Sequence, residues 1–357
     1  MSHTRSHTRT LFPKVTIGLD LGDTMSCVYE VNARGEPCGE AKVATTPAGL
    51  ERYFGARARC RVVLEVGTHS PWVARLLAAC GHEVIVANPS AMYGGRRRRR
   101  RNDRLDAKFL ARQGRADVEL LYPIQHRGPQ AQQHLAIVRA RDELVHLRTA
   151  LINHVRGAVK SIGARLPGCS AEAFPKRVAT AMPAALHPAL QPMVETIADL
   201  TRRVRAYDQQ VQQLAHTYPE VQRLQQPSGV GALTALTYVL LVEDPHRFAR
   251  SRAAGAYFGL VPRLDESSDA TPQLRISKAG DELGRRLLVN AAHYILGPFG
   301  PDCDLRRFGE AIAHRGGKNA KKRAVVAVAR KLAVLLHRLW LSDAPYDPHY
   351  QQHHRAA

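Results

Sequence analysis

Two aspartates three residues apart follow a run of arginines in the first third of the chain. The segment reads RRRRRRNDRLDAKF, and its carboxylates belong to Asp103 and Asp106. On a helix, positions i and i+3 lie on one face, so this pair can bind a hard divalent cation. The arginines upstream attract a polyanion; they are Arg96, Arg97, Arg98, Arg99, Arg100 and Arg101. The combination suggests metal-assisted chemistry on nucleic acid, although a capped, solvated helix start explains the same residue types.

Two further acids end apolar segments. Asp20 follows Ile17 and Leu19 in VTIGLDLG, and Glu65 follows VVL in RVVLEVG. A carboxylate in a central strand is costly to bury, so each of these acids needs a cation or a hydrogen-bond network. Asp23 is the nearest competitor of Asp20, but it lies past a glycine where a turn is expected. With the helical pair, the strand acids give an Asp-Glu-Asp-Asp set.

A serine lies among cations in the segment RISKAGDELGRR. A serine at a loop-to-helix junction can attack phosphorus, while nearby cations stabilise the charge that develops on the phosphoryl oxygens. A helix cap or a passive phosphate contact is the simpler explanation of the same residue. The residues concerned are Ser277, its neighbours Arg275 and Lys278, the loop glycine Gly280, and Arg285 and Arg286 further on.

Two other segments have the residue types of phosphate contacts. Gly229 and Gly231 open an apolar helix whose unpaired N–H groups can bind phosphate, as helix-hairpin-helix modules do. The segment HRGGKNAKKR supplies Lys318, Lys321 and Lys322 before an amphipathic helix. We expect that helix to combine core packing with binding to the nucleic-acid backbone.

Composition restricts the function classes. The chain has 357 residues, enough for two domains and a connecting element, and its net charge of +21 indicates a nucleic-acid partner. No apolar run reaches the ~20 residues of a spanning helix, so we expect a soluble protein with no membrane partner. Six cysteines without metal-ligand spacing and no signal peptide indicate reduced thiols and a cytoplasmic location.

Strand and helix patterns alternate in the segment that carries the first acids. Strand patterns at 15–22, 27–31 and 41–45 predict a three-stranded meander. A helix at 48–54, a strand at 61–67, a helix at 71–80 and a strand at 82–89 follow. This alternation predicts an α/β domain that includes parallel strands.

The middle of the chain shows two helical repeats. Apolar pairs recur every seven residues from Ile137, which predicts one long helix. The second repeat alternates steps of four and three, the spacing of a coiled coil; its members are Met193, Ile197, Leu200, Val204, Tyr207, Val211, Leu214 and Tyr218. Spacing leaves open whether the helices form an antiparallel hairpin within one chain or pair between protomers.

These motifs together resemble a known family. GLDLG, LEVGTHS and RNDRLDAKFLA are similar to the three acidic blocks of the DEDD transposases of the insertion sequence 110 family. PSGVGALTALTYVLLVEDPHRF and RISKAGDELGRRLLVNAA resemble the second domain of that family, so the likeness runs from about residue 15 to residue 340. The resemblance implies a site-specific recombinase that excises and inserts a mobile element, guided by a bridge-type noncoding RNA that pairs with donor and target DNA.

The resemblance also implies an architecture and a site. It implies an α/β RNase H-like (RuvC-like) domain at 15–125, a coiled-coil connector at 126–224 and a mostly α-helical transposase domain with a helix-hairpin-helix-like element at 225–342. A disordered basic arm at 1–14 and a tail at 343–357 complete the prediction. By motif position, Asp20, Glu65, Asp103 and Asp106 would bind two Mg²⁺ ions, Ser277 would be the nucleophile, and the protein would form a dimer or tetramer.

Three alternatives remain at this point. A Holliday-junction-resolvase-like endonuclease would use the same acids with water as the nucleophile and no covalent intermediate. An actin-like ATPase or sugar kinase is suggested by GLDLGDT, but the later nucleotide-binding blocks are missing and the charge is unexplained. An architectural DNA-binding protein would tolerate loss of all four acids.

Overall fold

The computed structural model describes residues 14–92, 102–263, 274–342 and 344–354. The chain divides into two compact units, Met1–Arg127 and Gly128–Ala357. The arm predicted at 1–14 lies outside the described residues except for Lys14, and the six arginines at 96–101 lie outside them entirely.

In the described part of the first unit, five strands form one mixed sheet in the order β3-β2-β1-β4-β5. The first three strands form an antiparallel meander, and the last two run parallel to β1. This confirms the predicted meander and parallel strands, and it is compatible with an RNase H-like domain. The strands are β1 (Thr16–Asp20), β2 (Met25–Val31), β3 (Pro37–Ala44), β4 (Arg61–Glu65) and β5 (Glu83–Ala87).

Helices cover both faces of this sheet because side chains alternate between the faces along each strand. Ile17, Leu19 and Leu64 pack with the first two helices, whereas Tyr29 and Val63 contribute to the packing of the fourth helix on the other face. The helices are α1 (Pro47–Phe54), α2 (Ser70–Ala79), α3 (Pro89–Met92) and α4 (Asp103–Ala116).

Helix α4 lies on the sheet at backbone-contact distance. A Cβ atom at Gly18 would overlap the carbonyl oxygen of Ala107, and one at Gly114 would overlap the side chain of Val63. Both ends of the helix are also fixed. The guanidinium of Arg104 pairs with both oxygens of Glu40 in β3 at 2.6 Å, and the Arg61 side chain donates to the carbonyl of Gly114 at 2.9 Å.

The described part of the second unit is helical. Helix α9 is buried along nearly its whole length and forms the centre of a core with α11 and α13. Among the described residues, none of the helices combines the length and the apolar character needed to cross a membrane. The helices are α5 (Pro129–Ser161), α6 (Phe174–Ala179), α7 (His187–His216), α8 (Pro219–Leu224), α9 (Ala232–Val242), α10 (Ala253–Tyr257), α11 (Glu282–Leu296), α12 (Asp304–His314), α13 (Ala320–Leu341) and α14 (Tyr350–His353).

Helices α5 and α7 pack against each other within one chain. Polar contacts cross the middle of the pair: Arg141 donates to Asp208 at 2.9 Å, and the buried Arg148 donates to Thr201 at 3.4 Å. The two helices therefore form a hairpin within one chain, one of the two arrangements that the spacing had left open. The buried stripe of α7 is used in this packing. Pairing between protomers stays a prediction and would need another surface of these helices.

The buried stripe of α7 differs from the predicted one at every second position. Val194, Thr201 and Ala215 are buried in place of Met193, Leu200 and Leu214, which are half-buried. The column that faces α5 contains the polar residues Thr201 and Asp208, which pair with Arg148 and Arg141 of that helix. A count of apolar residues at 4-3 spacing does not identify such a column.

The close approach at Gly18 leads to a stability prediction. Gly18→Ala should destabilise the first unit by about 1–3 kcal/mol, because the added methyl overlaps backbone atoms of α4 rather than the end of a flexible side chain. The matched control is Gly67→Ala in the same unit, where a Cβ meets nothing within 4 Å; it should change stability by less than about 0.5 kcal/mol. Urea unfolding followed by circular dichroism measures both, and wild-type stability of Gly18→Ala would contradict the packing.

Candidate active site

Asp20 and Glu65 end neighbouring parallel strands. Asp20 is the last residue of β1, Glu65 is the last of β4, and the register pairs the preceding residues Leu19 and Leu64. Both acids are half-buried. Their carboxylates therefore leave the sheet side by side at the carboxyl edge of its parallel strands, where open α/β sheets bind their ligands.

The other two acids belong to the first turn of α4. Asn102 caps the helix by accepting a hydrogen bond from the N–H of Arg104 at 3.0 Å, and negative charge is favourable at this end of a helix. Asp103 is exposed and Asp106 is half-buried. Asp106 immediately precedes Ala107, whose carbonyl lies against Gly18 of β1.

The Cys27 thiol reports on the charges around this edge. Cys27 lies opposite Asp20 in the β1–β2 register. Burial raises the pKa of the Cys27 thiol, and the carboxylates of Asp103 and Asp20 raise it further, against the opposing effect of Lys42. An acid from β1 and an acid from α4 are thus within electrostatic reach of one side chain.

The donor set suits a hard divalent cation in its chemistry, since all its members supply carboxylate oxygens. Within 14–92, 102–263, 274–342 and 344–354, no three His, Cys, Asp or Glu side chains lie close enough together to hold a metal ion. The acids share one end of the sheet without forming a closed set of ligands there.

Sequence patterns did not single out His69, which follows Glu65 by four residues. Its Nε2 lies 3.2 Å from an oxygen of Asp23, and the Trp72 indole N–H donates to its Nδ1 at 3.2 Å. Because Nδ1 accepts, Nε2 carries the proton and donates to Asp23. The pair joins the β1–β2 turn to the β4–α2 loop beside the acids. The sequence signal that could have identified His69 is its place in the motif LEVGTHS.

A second histidine holds the same loop. The Ser70 hydroxyl donates to the carbonyl of Gly67 at 2.8 Å and accepts from its N–H at 2.9 Å, and His126 contacts that hydroxyl at 2.9 Å. Burial lowers the pKa of His126, and the nearby Arg75 and Arg127 lower it further, which favours the neutral ring. The loop after Glu65 is therefore held by the hydrogen bonds between Gly67 and Ser70 and by the contact of His126 with Ser70.

In the second unit, Ser277 lies in a short antiparallel bridge. Its N–H donates to the carbonyl of Val261 at 2.8 Å, and the N–H of Arg263 donates to the carbonyl of Arg275 at 2.9 Å. The half-buried Ser277 hydroxyl accepts from the N–H of Ala279 at 3.4 Å. The backbone that carries this hydroxyl is thus held by a neighbouring segment.

Another residue caps the helix that follows. Asp281 accepts from the N–H of Gly284 at 2.9 Å and forms the N-cap of α11. The helix-cap explanation of Ser277 therefore does not apply. The intervening Gly280 has a φ of 79°, and a Cβ there would overlap the carbonyl oxygen of Tyr257, so the loop requires glycine at this position.

The cations around Ser277 fall into two groups. Arg285 donates to three carbonyls, those of Phe258 at 3.3 Å, Lys278 at 3.1 Å and Ala279 at 3.2 Å. Arg286 pairs with Asp142 at 2.5 Å. Arg275 and Lys278, by contrast, are exposed. The first group holds the loop and the helix, and phosphate contacts by either group stay a prediction.

The other predicted phosphate contacts lie at helix starts. Gly229 has a φ of 86° in the turn between α8 and α9, and Gly231 is the N-cap of α9, with open space where a Cβ would be. Lys318, Lys321 and Lys322 are exposed at the start of α13, whose first turn has no acidic residue. Cations are unfavourable at the N-terminal end of a helix, so an anion there would relieve a repulsion.

Comparison with known proteins identifies family profiles that match the two segments carrying these sites. Residues 17–163, which include the four acids, match a transposase family profile of the IS110 DEDD type. Residues 221–301, which include Ser277, match the profile described as "Transposase IS116/IS110/IS902 family".

Related proteins extend the likeness over most of the chain. The transposase for insertion sequence element IS1111A of Coxiella burnetii is 33% identical over 69% of this chain and 68% of its own length. A putative transposase, y4pF/y4sB, of Sinorhizobium fredii is 27% identical over 93% of this chain and 85% of its own length. A probable family 20 transposase of Pseudomonas aeruginosa is 26% identical over 93% of this chain and 98% of its own length. The chain therefore belongs to the IS110 family of transposases.

Proposed function

We propose that this transposase excises and inserts a mobile element through strand exchange at a carboxylate site and a serine, with a bridge-type RNA choosing the DNA. The observation that carries the proposal is the placement of Asp20 and Glu65 at the ends of neighbouring parallel strands. The first turn of α4 brings Asp103 within electrostatic reach of the same end.

Asp20, Glu65, Asp103 and Asp106 would hold Mg²⁺, two ions in each active site. When bound, the metal polarises the scissile phosphate and stabilises the leaving oxygen. The protein's part would be to direct four carboxylates to one end of the sheet. The capped start of α4 favours this for Asp103 and Asp106.

Ser277 would be the nucleophile. A bond forms between its Oγ and the scissile phosphorus, the bond from phosphorus to the leaving strand oxygen breaks, the serine proton passes to water and the leaving strand gains one. The phosphoserine link conserves the ester bond, so the hydroxyl of another strand can reverse the reaction and rejoin the DNA. The exposed Arg275 and Lys278 are suited to stabilise the charge that develops on the phosphoryl oxygens.

Donor DNA, target DNA and a bridge-type noncoding RNA would be the partners, as the family resemblance implies. The net charge of +21 supplies attraction to these polyanions. The resemblance also favours a homo-oligomer, a dimer or tetramer. The two candidate sites belong to different units of the chain, so a nucleophile from one protomer serving the acids of another is part of the proposal.

The acids give the first functional prediction. Asp106→Asn should abolish strand cleavage in Mg²⁺ and weaken Mn²⁺ binding in calorimetry, while the fold and DNA binding persist, because the amide removes one anionic ligand. The matched control is Asp117→Asn at the other end of α4, where the amide keeps the acceptor used by the N–H of Glu119. Full cleavage by Asp106→Asn would rule this carboxylate out as a metal ligand.

The serine separates the recombinase from the nuclease. On labelled, pre-nicked DNA the wild-type protein should form a denaturation-resistant protein–DNA adduct, and Ser277→Ala should form none although it still binds DNA and RNA. Ser251→Ala, a half-buried serine of the same unit, should form the adduct normally. An adduct that persists in Ser277→Ala would overturn the assignment, and cleavage at the normal rate by that variant would favour a water-attacking nuclease.

A mixing experiment tests the shared site. Combining Ser277→Ala with Asp106→Asn should restore part of the activity if one protomer supplies the serine and another the acids. Activity as low as that of either variant alone would show that each chain needs both groups itself.

The lysines at the start of α13 predict a change in salt dependence. Replacing Lys318, Lys321 and Lys322 with Gln should lower the slope of log affinity against log salt by about 0.9 for each phosphate that is no longer neutralised, without a change in sequence preference. A control triple variant of equal charge change replaces the exposed Lys160, Lys176 and Arg177. If both triple variants keep the wild-type slope, the α13 lysines do not touch phosphate.

A further inference from the structure

The turn between α11 and α12 displays a phenylalanine to solvent. Phe299 is 82% exposed, the highest value among the large hydrophobic side chains of the described residues. It occupies the third position of a four-residue turn in which the N–H of Gly300 donates to the carbonyl of Gly297 at 3.2 Å. Pro298 occupies the second position, which it favours by fixing φ.

The exposure of Phe299 is a fixed feature of this turn. From beneath, one nitrogen of Arg306 donates to the carbonyls of Ile295 at 3.0 Å, Gly297 at 2.8 Å and Gly300 at 2.8 Å. A Cβ at Gly300 would overlap the carbonyl oxygen of Ile295, so the turn is packed tightly on the end of α11. The backbone that holds the ring is therefore fixed by these contacts.

A second aromatic side chain lies next to this turn. Tyr294, in the last turn of α11, is 46% exposed, and its carbonyl accepts from the N–H of Gly297 at 3.1 Å. Its ring also faces the α8–α9 turn, since a Cβ at Gly229 would lie 3.0 Å from the Tyr294 Cδ1 atom. The exposed ring of Tyr294 thus stands beside the turn that leads into α9, whose first N–H groups suit a phosphate.

This surface shares α11 with the candidate nucleophile. The Ser277 loop precedes the helix and the Phe299 turn follows it. The helix has 15 residues, which at 1.5 Å per residue is about 22 Å, the length of roughly six to seven base steps at 3.4 Å each. Exposed polar side chains, Asn290 and His293, lie between the two ends. A DNA strand whose phosphate lay at Ser277 could therefore place a base near Phe299.

We propose that Phe299, supported by Tyr294, stacks on an unstacked base of the DNA substrate and keeps the strands open beside the exchange site. The inference rests on the proposed function. Aromatic rings on a pinned turn suit a base because every base presents a π-face, whereas a docking protein would need a contiguous apolar surface. DNA is the favoured strand because the same helix leads to the residue proposed to cut it.

The test uses the full-length protein and a DNA duplex that carries 2-aminopurine about six base pairs from the scissile phosphate. Wild-type protein should change the fluorescence of this base, and Phe299→Ala should abolish the change and weaken binding about 5- to 150-fold. Phe299→Tyr keeps a π-face and should behave as wild type, while Phe299→Leu keeps an apolar side chain and should behave as Phe299→Ala. A mismatch at that position, which opens the base in advance, should restore part of the affinity of Phe299→Ala.

The control is Tyr350→Ala, which removes an exposed aromatic ring elsewhere in the same unit and should leave the signal unchanged. Wild-type behaviour of Phe299→Leu would overturn stacking. A changed sedimentation coefficient with an unchanged fluorescence signal would assign Phe299 to contact with a second copy, and loss confined to RNA binding would assign it to RNA; either result overturns the proposal.

Failure of this inference can be told apart from failure of the proposed function. If Phe299→Ala forms the Ser277 adduct and keeps the fluorescence signal, stacking alone is wrong. If wild-type protein gives the fluorescence signal but no adduct, the serine mechanism is wrong and the stacking surface stands.

Discussion

The acidic site depends on one backbone contact, the approach of α4 to β1 at Gly18. Any side chain there would push the helix away from the sheet, because the carbonyl of Ala107 occupies the space that a Cβ needs. Asp106 is the next residue back along that helix, and Asp20 lies two residues beyond Gly18 on the strand. The distance between Asp20 and Asp106 is therefore set by Gly18, a residue that takes no part in the chemistry.

Much of the first unit follows from residue patterns. Short apolar segments separated by turn and helix patterns predict the five strands, and a carboxylate directly after each of two of them predicts acids at strand ends. The position of His69 did not follow, because its pairing with Asp23 depends on a strand turn and a loop that are 46 residues apart in the chain. The covered column of α7 did not follow either, since it contains Thr201 and Asp208, whose partners Arg148 and Arg141 belong to another helix.

The second unit uses one physical device at both ends of α11. At the start, Arg285 donates to three carbonyls of the Ser277 region; at the end, Arg306 donates to three carbonyls of the Phe299 turn. Loops rich in glycine lack side chains to hold them, and the planar guanidinium supplies several donors to their carbonyls at once. Each loop is rigid without a core of its own, which leaves its outward side chain available to a ligand.

These arginine contacts show that the cations behind the net charge of +21 are not all equally available to a nucleic acid. In the sequence, Arg285 and Arg286 have the character of phosphate contacts because they are cations near a serine, yet both have partners within the chain. The carbonyls that hold one guanidinium nitrogen of Arg285 leave it fewer donors for phosphate, whereas Arg275, Lys278 and the lysines of α13 are exposed. The sequence gives the number of cations. Only the packing shows which of them hold the loops and which are exposed to a polyanion. The exposed group lies at the Ser277 loop and at the start of α13, which are the places where a phosphate would neutralise charge without dismantling the fold.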